Sequence, residues 1–482
     1  LVVISGVFAC RRISKTDKRK YFILNVLFAS TIGFDITGYR YFLKKFVSSD
    51  SQANHDVASS KEKWIEQPFD HFDETVEDTL KLRYFERLDL FKAGGPVYIF
   101  IGGEGEAYTS FLNVGTMFEL ANETNGALYT LEHRFYGKSR PANWSNMDTL
   151  KYLSSKQALA DVAHFIQVIK SNETFNSSKV VLVGMKLKYP DSVDVALASG
   201  GPVMAKKDFF EYLEVVSDNY EQYGTENCVD MIKEIFDTYE NLLSDAEGIE
   251  ELKVEENICA DIDMTDSLNR QLFILDKASA FMIRSQYGSV DTIKSHCKLI
   301  ANASRTIPPT ERNDFMLGIR DQDCNRYGFD DLVESVKEDD DFFAWYYQTC
   351  TEFGYYQTAS SENQPFTNIL TGELFYELCE ELYGEEFDES RVDAGVKETN
   401  EMYGGLTPDV TRVVFSNGDM DPWHRLSVLE DISYDAPAVV IAQSSHCKDL
   451  FPNNENDHEE LLEARKHIKY LIKAWLDEVQ KI

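Results

Sequence analysis

Short apolar runs, each followed by a glycine-rich or polar turn, recur along much of the chain. They occupy residues 96–101, 127–131, 179–183, 193–198, 412–416 and 438–442. Buried strands of a parallel sheet have such continuous apolar segments, and helices connect them. Residues 153–169 have the apolar periodicity of one connecting helix. Residues 64–72 and 80–91 precede these runs, and the alternation over 80–85 predicts a strand with one exposed face. The pattern predicts an α/β fold.

The pattern changes between Met204 and about Glu385, where the chain becomes helical and acidic. This stretch holds six of the eight cysteines: Cys228, Cys259, Cys297, Cys324, Cys350 and Cys379. We interpret residues 204–385 as an inserted helical cap domain. Residues 61–203 and 386–482 then form the two parts of one α/β domain, which ends in a predicted helix over 459–480 with an apolar stripe.

Residues 1–60 do not fit either domain, and we interpret them as a leader and linker. Residues 47–63 are polar and serine-rich, as linkers are. Basic residues at 18–20 followed by the apolar run 21–34 resemble a secretory signal, and translated non-coding sequence is the alternative. The run is too short and too polar for a membrane span, so we expect none.

Composition narrows the partners and the compartment. The 482 residues carry a formal net charge of −34, which argues against nucleic acid as a partner. The cysteines are dispersed without a C-x-x-C pair, so we expect no zinc site and no other metal. Five N-x-[ST] sequons favour a glycoprotein of the oxidising secretory route, at Asn122, Asn143, Asn172, Asn176 and Asn302.

The candidate chemistry centres on an Asp and a His that each follow an apolar run. Asp421 and His446 come in the order that serine hydrolases of the α/β type use, after the strand that carries the nucleophile. Histidine would take the nucleophile's proton, and aspartate would fix the histidine tautomer. Each residue alone has a simpler explanation. An Asp before Pro-Trp is usually a turn former, and a lone His is usually part of the polar surface.

The serine itself is missing. The run 180–184 should lead into a G-x-S-x-G turn, yet Gly184 is followed by Met185, and no such motif occurs in the chain. Ser199 and Cys447 are weak substitutes. Ser199 follows the next strand, and adjacent side chains such as those of His446 and Cys447 diverge in an extended segment. Residues 102–105 are glycine-rich and would offer backbone N–H groups to an oxyanion.

Several motifs together resemble the prolyl carboxypeptidase and dipeptidyl peptidase II family of lysosomal serine exopeptidases. They lie within residues 64–72, 102–106, 132–139, 153–161, 345–354, 417–423 and 445–447. The resemblance covers about residues 64–480 and is specific in combination. It implies an α/β-hydrolase fold with a large inserted helical cap domain, and cleavage of peptides next to proline at acid pH.

The resemblance also implies roles for individual residues. Gly102, Gly103 and Glu104 would form the oxyanion loop, and Trp345, Gln348 and Thr349 the cap side of a substrate pocket. The implied disulfides are Cys228–Cys297, Cys259–Cys324 and Cys350–Cys379, with Cys10 and Cys447 unassigned. Peptides are the expected substrates or ligands, and no cofactor is expected. A homodimer is one expected state of assembly. The expected location is secreted or lysosomal.

One departure from the family is as specific as the match. The family's elbow and the first turns of its helix are absent between Gly184 and Met185, whereas residues 187–190 resemble the end of that helix. Two hypotheses follow. Either an exon of a serine exopeptidase has been lost, and the chain as given is inactive, or the chain is a pseudopeptidase that acts as a secreted binding or structural protein. The second predicts erosion of the Asp and His loops, which the sequence does not show.

Overall fold

A mixed eight-stranded sheet forms the centre of the computed structural model, which describes residues 62–184, 192–302 and 324–478. Its strands run in the order β1-β2-β4-β3-β5-β6-β9-β10. In chain order they are β1 (Glu62–Pro68), β2 (Thr79–Arg87), β3 (Val97–Ile101), β4 (Ala127–Leu131), β5 (Val180–Val183), β6 (Val195–Ser199), β9 (Val413–Gly418) and β10 (Ala438–Ile441). From β4 to β10 neighbouring strands are parallel, while β2 is antiparallel to both β1 and β4. This is the predicted α/β-hydrolase fold.

Helices cover both faces of the sheet. α1 (Gly115–Thr124), α2 (Met147–Leu150) and α3 (Ser155–Lys170) precede β5, and the closing α13 (Glu459–Glu478) follows β10. Residues of α1 and α13 share one apolar core with Val181 and Val183, whereas α3 shares the opposite core with Leu182. Alternate residues of β5 therefore enter different cores, which is why the strand is apolar throughout.

The inserted segment between β6 and β9 is mainly helical. It contains α4 (Glu211–Tyr223), α5 (Cys228–Leu242), α6 (Ala246–Glu255), α7 (Ser267–Tyr287), α8 (Val290–Asn302), α9 (Phe329–Glu338), α10 (Asp340–Gln348), α11 (Glu373–Tyr383) and α12 (Glu389–Tyr403). A π-helical turn, Thr349–Phe353, follows α10. Two short parallel strands that the sequence did not predict, β7 (Lys206–Asp208) and β8 (Gly354–Tyr356), pair at the base of the segment.

All three implied disulfides are present in this segment, with Cα–Cα distances of 5.6, 5.0 and 5.8 Å that suit the bond. α12 lies beyond the predicted boundary at residue 385 but packs against the segment, since a Cβ on Gly395 would lie 2.0 Å from the carbonyl oxygen of Thr351. The domain boundaries stay predictions.

Some sequence-based expectations fall outside the described residues: the leader, Cys10, the side chain of Asn302, and residues 187–190. The other four sequon asparagines, Asn122, Asn143, Asn172 and Asn176, are exposed, so glycosylation there stays a prediction compatible with the fold. No helix among the described residues has the length and apolar character needed to cross a bilayer.

Candidate active site

The Asp421 and His446 side chains meet at the carboxyl edge of the sheet. β9 and β10 are parallel neighbours, so the loops that follow them emerge side by side. The Nδ1 atom of His446 lies 2.7 Å from Oδ2 of Asp421, and Oδ1 of Asp421 accepts the N–H of Trp423 at 3.1 Å. Because a carboxylate accepts the bond, Nδ1 carries the proton and Nε2 faces away from Asp421. This is the orientation in which a histidine can exchange a proton with a nucleophile.

Burial and charge act in opposite directions on His446. Burial by itself would lower its pKa, but the Asp421 carboxylate raises the pKa of His446 well above its usual value. A general base must be neutral, so in the chain as given the bond to Asp421 favours the protonated form of His446 over the basic form.

The residue that follows β5, where the nucleophile turn should begin, is Gly184. Its N–H donates to the carbonyl of Leu197 at 2.9 Å, which continues the sheet pairing with β6. Its φ of +138° is a conformation that favours glycine. The described chain stops here and resumes at residue 192.

Neither substitute nucleophile is arranged for catalysis. The hydroxyl of Ser199 donates to Oδ1 of Asp449 at 2.6 Å rather than to His446. The thiol of Cys447 donates to the carbonyl of Ser199 at 3.4 Å, and burial raises the pKa of that thiol. The expectation that Cys447 diverges from His446 is wrong, because its φ of 55° turns the chain and the two side chains interact. A neutral, buried thiol is nevertheless a poor nucleophile.

A cavity of about 210 Å³ lies beside the end of β5. Gly184 lines it. The cavity also brings together most of the predicted loop and pocket residues: Gly102, Gly103, Glu104, Trp345 and Gln348. Its other walls are largely apolar and come from β2, β3, β4 and α3, with Phe353 from the π-helical turn. Asp421 and His446 do not line it.

Two predicted residues behave differently from the expectation. The N–H of Gly102 donates to the carbonyl of Leu131 at 2.7 Å, so it is not free for an oxyanion. The N–H of Gly103 stays a predicted donor of this turn. Thr349 points away from the cavity, and its hydroxyl donates to the carbonyl of Tyr346 at 2.9 Å.

His133 is a cavity residue that the sequence analysis did not single out. Its Nδ1 donates to the carbonyl of Arg134 at 2.7 Å, which leaves Nε2 as an acceptor. Burial lowers the pKa of His133 to about 4, so the ring is neutral over most of the pH range. It lies in the motif Glu132-His133-Arg134, which contributed only to the family resemblance.

The charged residues adjacent to His133 form structural contacts. Glu132 is fully buried and accepts the backbone N–H groups of Ala107 and Lys138 and the hydroxyl of Ser139. Arg134 donates to both oxygens of Asp161, at 2.6 and 2.7 Å. Nε2 of His71 lies 2.7 Å from the same carboxylate. Three of the motifs that carry the resemblance thus converge on one buried network.

In the described ranges, no group of three or more His, Cys, Asp or Glu side chains is arranged to hold a metal ion. The site offers an oriented histidine, a buried carboxylate behind it, and a glycine turn beside a small apolar cavity.

Comparison with known proteins decides the family. The family model described as Serine carboxypeptidase S28 matches residues 67–468. The chain belongs to the serine carboxypeptidase S28 family. It is 32% identical to thymus-specific serine protease of Mus musculus over 456 residues, which cover 88% of this chain and 89% of that protein.

Other S28 relatives are similar over the same span. A Caenorhabditis elegans serine protease is 32% identical over 449 residues, covering 85% of this chain and 87% of its own. Lysosomal Pro-X carboxypeptidase of Homo sapiens is 26% identical over 453 residues, covering 87% and 89%. The predicted family resemblance is confirmed. S28 membership fits a hydrolase of the serine protease type, and the disulfides fit the secretory pathway.

Proposed function

We propose that this chain derives from a secreted or lysosomal serine exopeptidase that cleaves peptides next to proline at acid pH. His446 would be the general base and Asp421 the residue that orients it. The observation that carries the proposal is the 2.7 Å bond between their side chains at the carboxyl edge of the sheet. One relative is named lysosomal Pro-X carboxypeptidase, which supports cleavage next to proline and a lysosomal location.

We further propose that the chain as given is inactive because a segment between Gly184 and Met185 has been lost. β5 and β6 are parallel neighbours, yet only residues 184–194 connect them. A parallel crossover with its helix takes about a dozen residues or more, so this connection is short for the fold. The cavity beside Gly184 lies where apolar residues of α3 face the end of β5, which supports the loss of a segment that would cover them.

The sequence lacks the G-x-S-x-G serine that His446 would activate. We therefore predict that the chain as given cleaves proline-directed fluorogenic peptides at background rate. Turnover at about pH 5 that disappears in His446→Ala would contradict this.

The decisive experiment restores the missing segment. A Gly-Gly-Ser-Tyr-Ser-Gly type turn and the following helical turns are inserted between Gly184 and Met185. The matched control carries alanine in place of the first serine of this turn, which holds the G-x-S position. We expect the repaired chain, but not the control, to label with a fluorophosphonate and to cleave next to proline. Asp421→Asn in the repaired chain should lower kcat by about four orders of magnitude, as loss of the correct tautomer does in other triads.

Two substrates define the mode of cleavage. An N-blocked peptide ending in Pro-Xaa tests carboxypeptidase action, and an Xaa-Pro amide with a free amine tests dipeptidyl peptidase action. The acidic limb of the rate profile gives the pKa at which His446 becomes a base. A folded repaired chain that neither labels nor cleaves would favour the pseudopeptidase hypothesis, for which the missing nucleophile is the supporting observation.

A further inference from the structure

The loop that carries Asp421 is bonded to an inserted helix. On α4, the side-chain amide of Asn219 donates to the carbonyl of Met420 at 2.8 Å. One turn further along α4, the hydroxyl of Tyr223 donates to Oδ2 of Asp419 at 3.3 Å. Asn219 is 4% exposed, so its bond is shielded from water. Both contacts reach the residues directly before Asp421.

The loop that carries His446 is bonded to a second inserted helix. The backbone N–H of His446 donates to the carbonyl of Gln286 at 2.7 Å, and the hydroxyl of Ser445 donates to the carbonyl of Gly288 at 2.9 Å. Gln286 is in the last turn of α7, where carbonyl groups have no donor within the helix. The loop that carries His446 supplies two donors, the N–H of His446 and the hydroxyl of Ser445, to carbonyl groups at the end of α7.

The two inserted helices are also bonded to each other at this point. The side-chain oxygen of Gln286 accepts the hydroxyl of Tyr212 on α4 at 2.5 Å, and its amide donates to the hydroxyl of Tyr287 at 2.7 Å. The ring of Tyr287 packs edge-on against the imidazole of His446, with centroids 5.8 Å apart. α4 and α7 therefore approach the Asp–His pair as one connected unit.

The sheet explains only part of this arrangement. Just beyond β9, the N–H of Asp419 donates to the carbonyl of Ile441, and the N–H of Met420 donates to the carbonyl of Ser444, both at 3.0 Å. Those bonds stop one residue before Ser445. The two bonds from Ser445 and His446 described above go to the end of α7 instead.

We propose that the inserted helices position the Asp421–His446 pair, with Asn219 and Ser445 as positioning residues and the end of α7 as the support of the histidine loop. The helical segment would then be part of the catalytic scaffold as well as a cover. The inference rests on the proposed function for its catalytic meaning. Its test needs no serine and so can fail or succeed independently of that function.

The test uses the chain as it exists. A histidine proton shared with a carboxylate gives a proton NMR resonance far downfield, and Asp421→Asn assigns it by its loss. We expect Asn219→Ala and Ser445→Ala to broaden or abolish this resonance, because the ring and the carboxylate are no longer held together. Ser445→Thr retains the hydroxyl and should retain the resonance.

Ser289→Ala is the matched control. Ser289 is exposed and follows Gly288 directly, but its hydroxyl pairs with that of Thr292 and not with the histidine loop. It should leave the resonance unchanged. Circular dichroism and thermal melting establish that each variant is folded at the temperature of measurement. If Asn219→Ala does not fold, Tyr223→Phe is used in its place. This variant loses only the hydroxyl that donates to Asp419.

An unchanged resonance in folded Asn219→Ala (or its replacement) and Ser445→Ala would overturn the proposal and assign positioning to the sheet. In the repaired chain, the same variants should lower kcat with little change in KM. If the repaired chain is inactive while the resonance responds as expected, the proposed function fails and the positioning role stands.

Discussion

Buried charged side chains in this protein serve the scaffold as much as the candidate site. Arg134 has no exposed side-chain surface, and Asp161, its partner, is 2% exposed. Burial alone would raise the pKa of Asp161, yet Arg134 and His71 hold it below its usual value. The same carboxylate, on α3, joins residues from the loop after β4 and the loop after β1. A conspicuous charge in a motif is thus not by itself evidence of a catalytic role.

We predict that Asp161→Asn destabilises the protein by about 3–5 kcal/mol, because it leaves the Arg134 guanidinium buried without a charge partner. Urea denaturation monitored by tryptophan fluorescence measures the change. Lys63→Met is the control, since its pair with Glu86 is partly exposed and should contribute less than about 1 kcal/mol. Equal small losses in both variants would show that the buried network carries little of the stability.

At the scale of elements, the sequence predicted what depends on local composition. The core strands were found as apolar runs, and β3, β4, β5, β6, β9 and β10 begin within two residues of the predicted starts. The pairing of β7 with β8 was missed, because it joins three-residue segments about 150 positions apart, and neither has a distinctive pattern. The turn at Cys447 depends on tertiary contacts in the same way, because the thiol reaches the carbonyl of Ser199.

The candidate site was likewise predicted only in part. Strand ends and residue order were sufficient to place Asp421 near His446, since both follow neighbouring parallel strands. The use of the Gly102 N–H in strand pairing and the cavity position of His133 could not be predicted, because each depends on how β4 packs. The three disulfides came from family resemblance rather than from spacing, which alone allows fifteen connectivities for six cysteines.

The junction between the inserted segment and the sheet domain yields a prediction at this scale. Both oxygens of Glu352, in the π-helical turn, accept the N–H of Ser155 at the start of α3, and Oε1 also accepts its hydroxyl at 2.7 Å. A carboxylate there satisfies a donor that the helix cannot. Glu352→Ala should destabilise the fold by about 1–3 kcal/mol, since it leaves a buried N–H without an acceptor.

Thermal melting of Glu352→Ala beside Glu338→Ala measures this contribution. Glu338 is exposed at the end of α9, so its loss should move the midpoint little. A Glu352→Ala midpoint equal to that of the control would mean that the junction is held by apolar packing alone.

Two features of the whole molecule lower its stability as pH rises. Its formal net charge of −34 makes the folded chain repel itself when its carboxyl groups are ionised. Burial also raises the pKa values of Glu352, Asp419 and Asp449. These groups bind protons more tightly in the folded state than in the unfolded state.

The sign of the resulting pH dependence follows from linkage. A group whose pKa is raised on folding stabilises the fold below its unfolded pKa, and this contribution is lost as pH rises through the folded pKa. For the carboxyl groups the loss begins above about pH 4, and for His446, whose pKa is also raised, above about pH 6.5. Asp161, whose pKa is lowered, is ionised in both states above about pH 5 and adds no slope there. Burial lowers the pKa values of four histidines, which act in the opposite direction and add stability as pH rises to about 6.5: His133, His164, His296 and His424.

Because these two sets of groups oppose each other, we predict the difference between a variant and the parent chain, in which the histidine contributions cancel. Glu352→Gln cannot ionise, so its melting temperature minus that of the parent should increase between about pH 5 and about pH 7.5 at constant ionic strength, as the parent alone loses the contribution of a protonated Glu352. Added salt should change this difference little, since buried charges are screened less. Glu338→Gln is the control, and its difference from the parent should be the same at both pH values. A Glu352→Gln difference that stays constant or decreases with pH would contradict the argument, because it would mean that Glu352 does not bind a proton more tightly in the folded state.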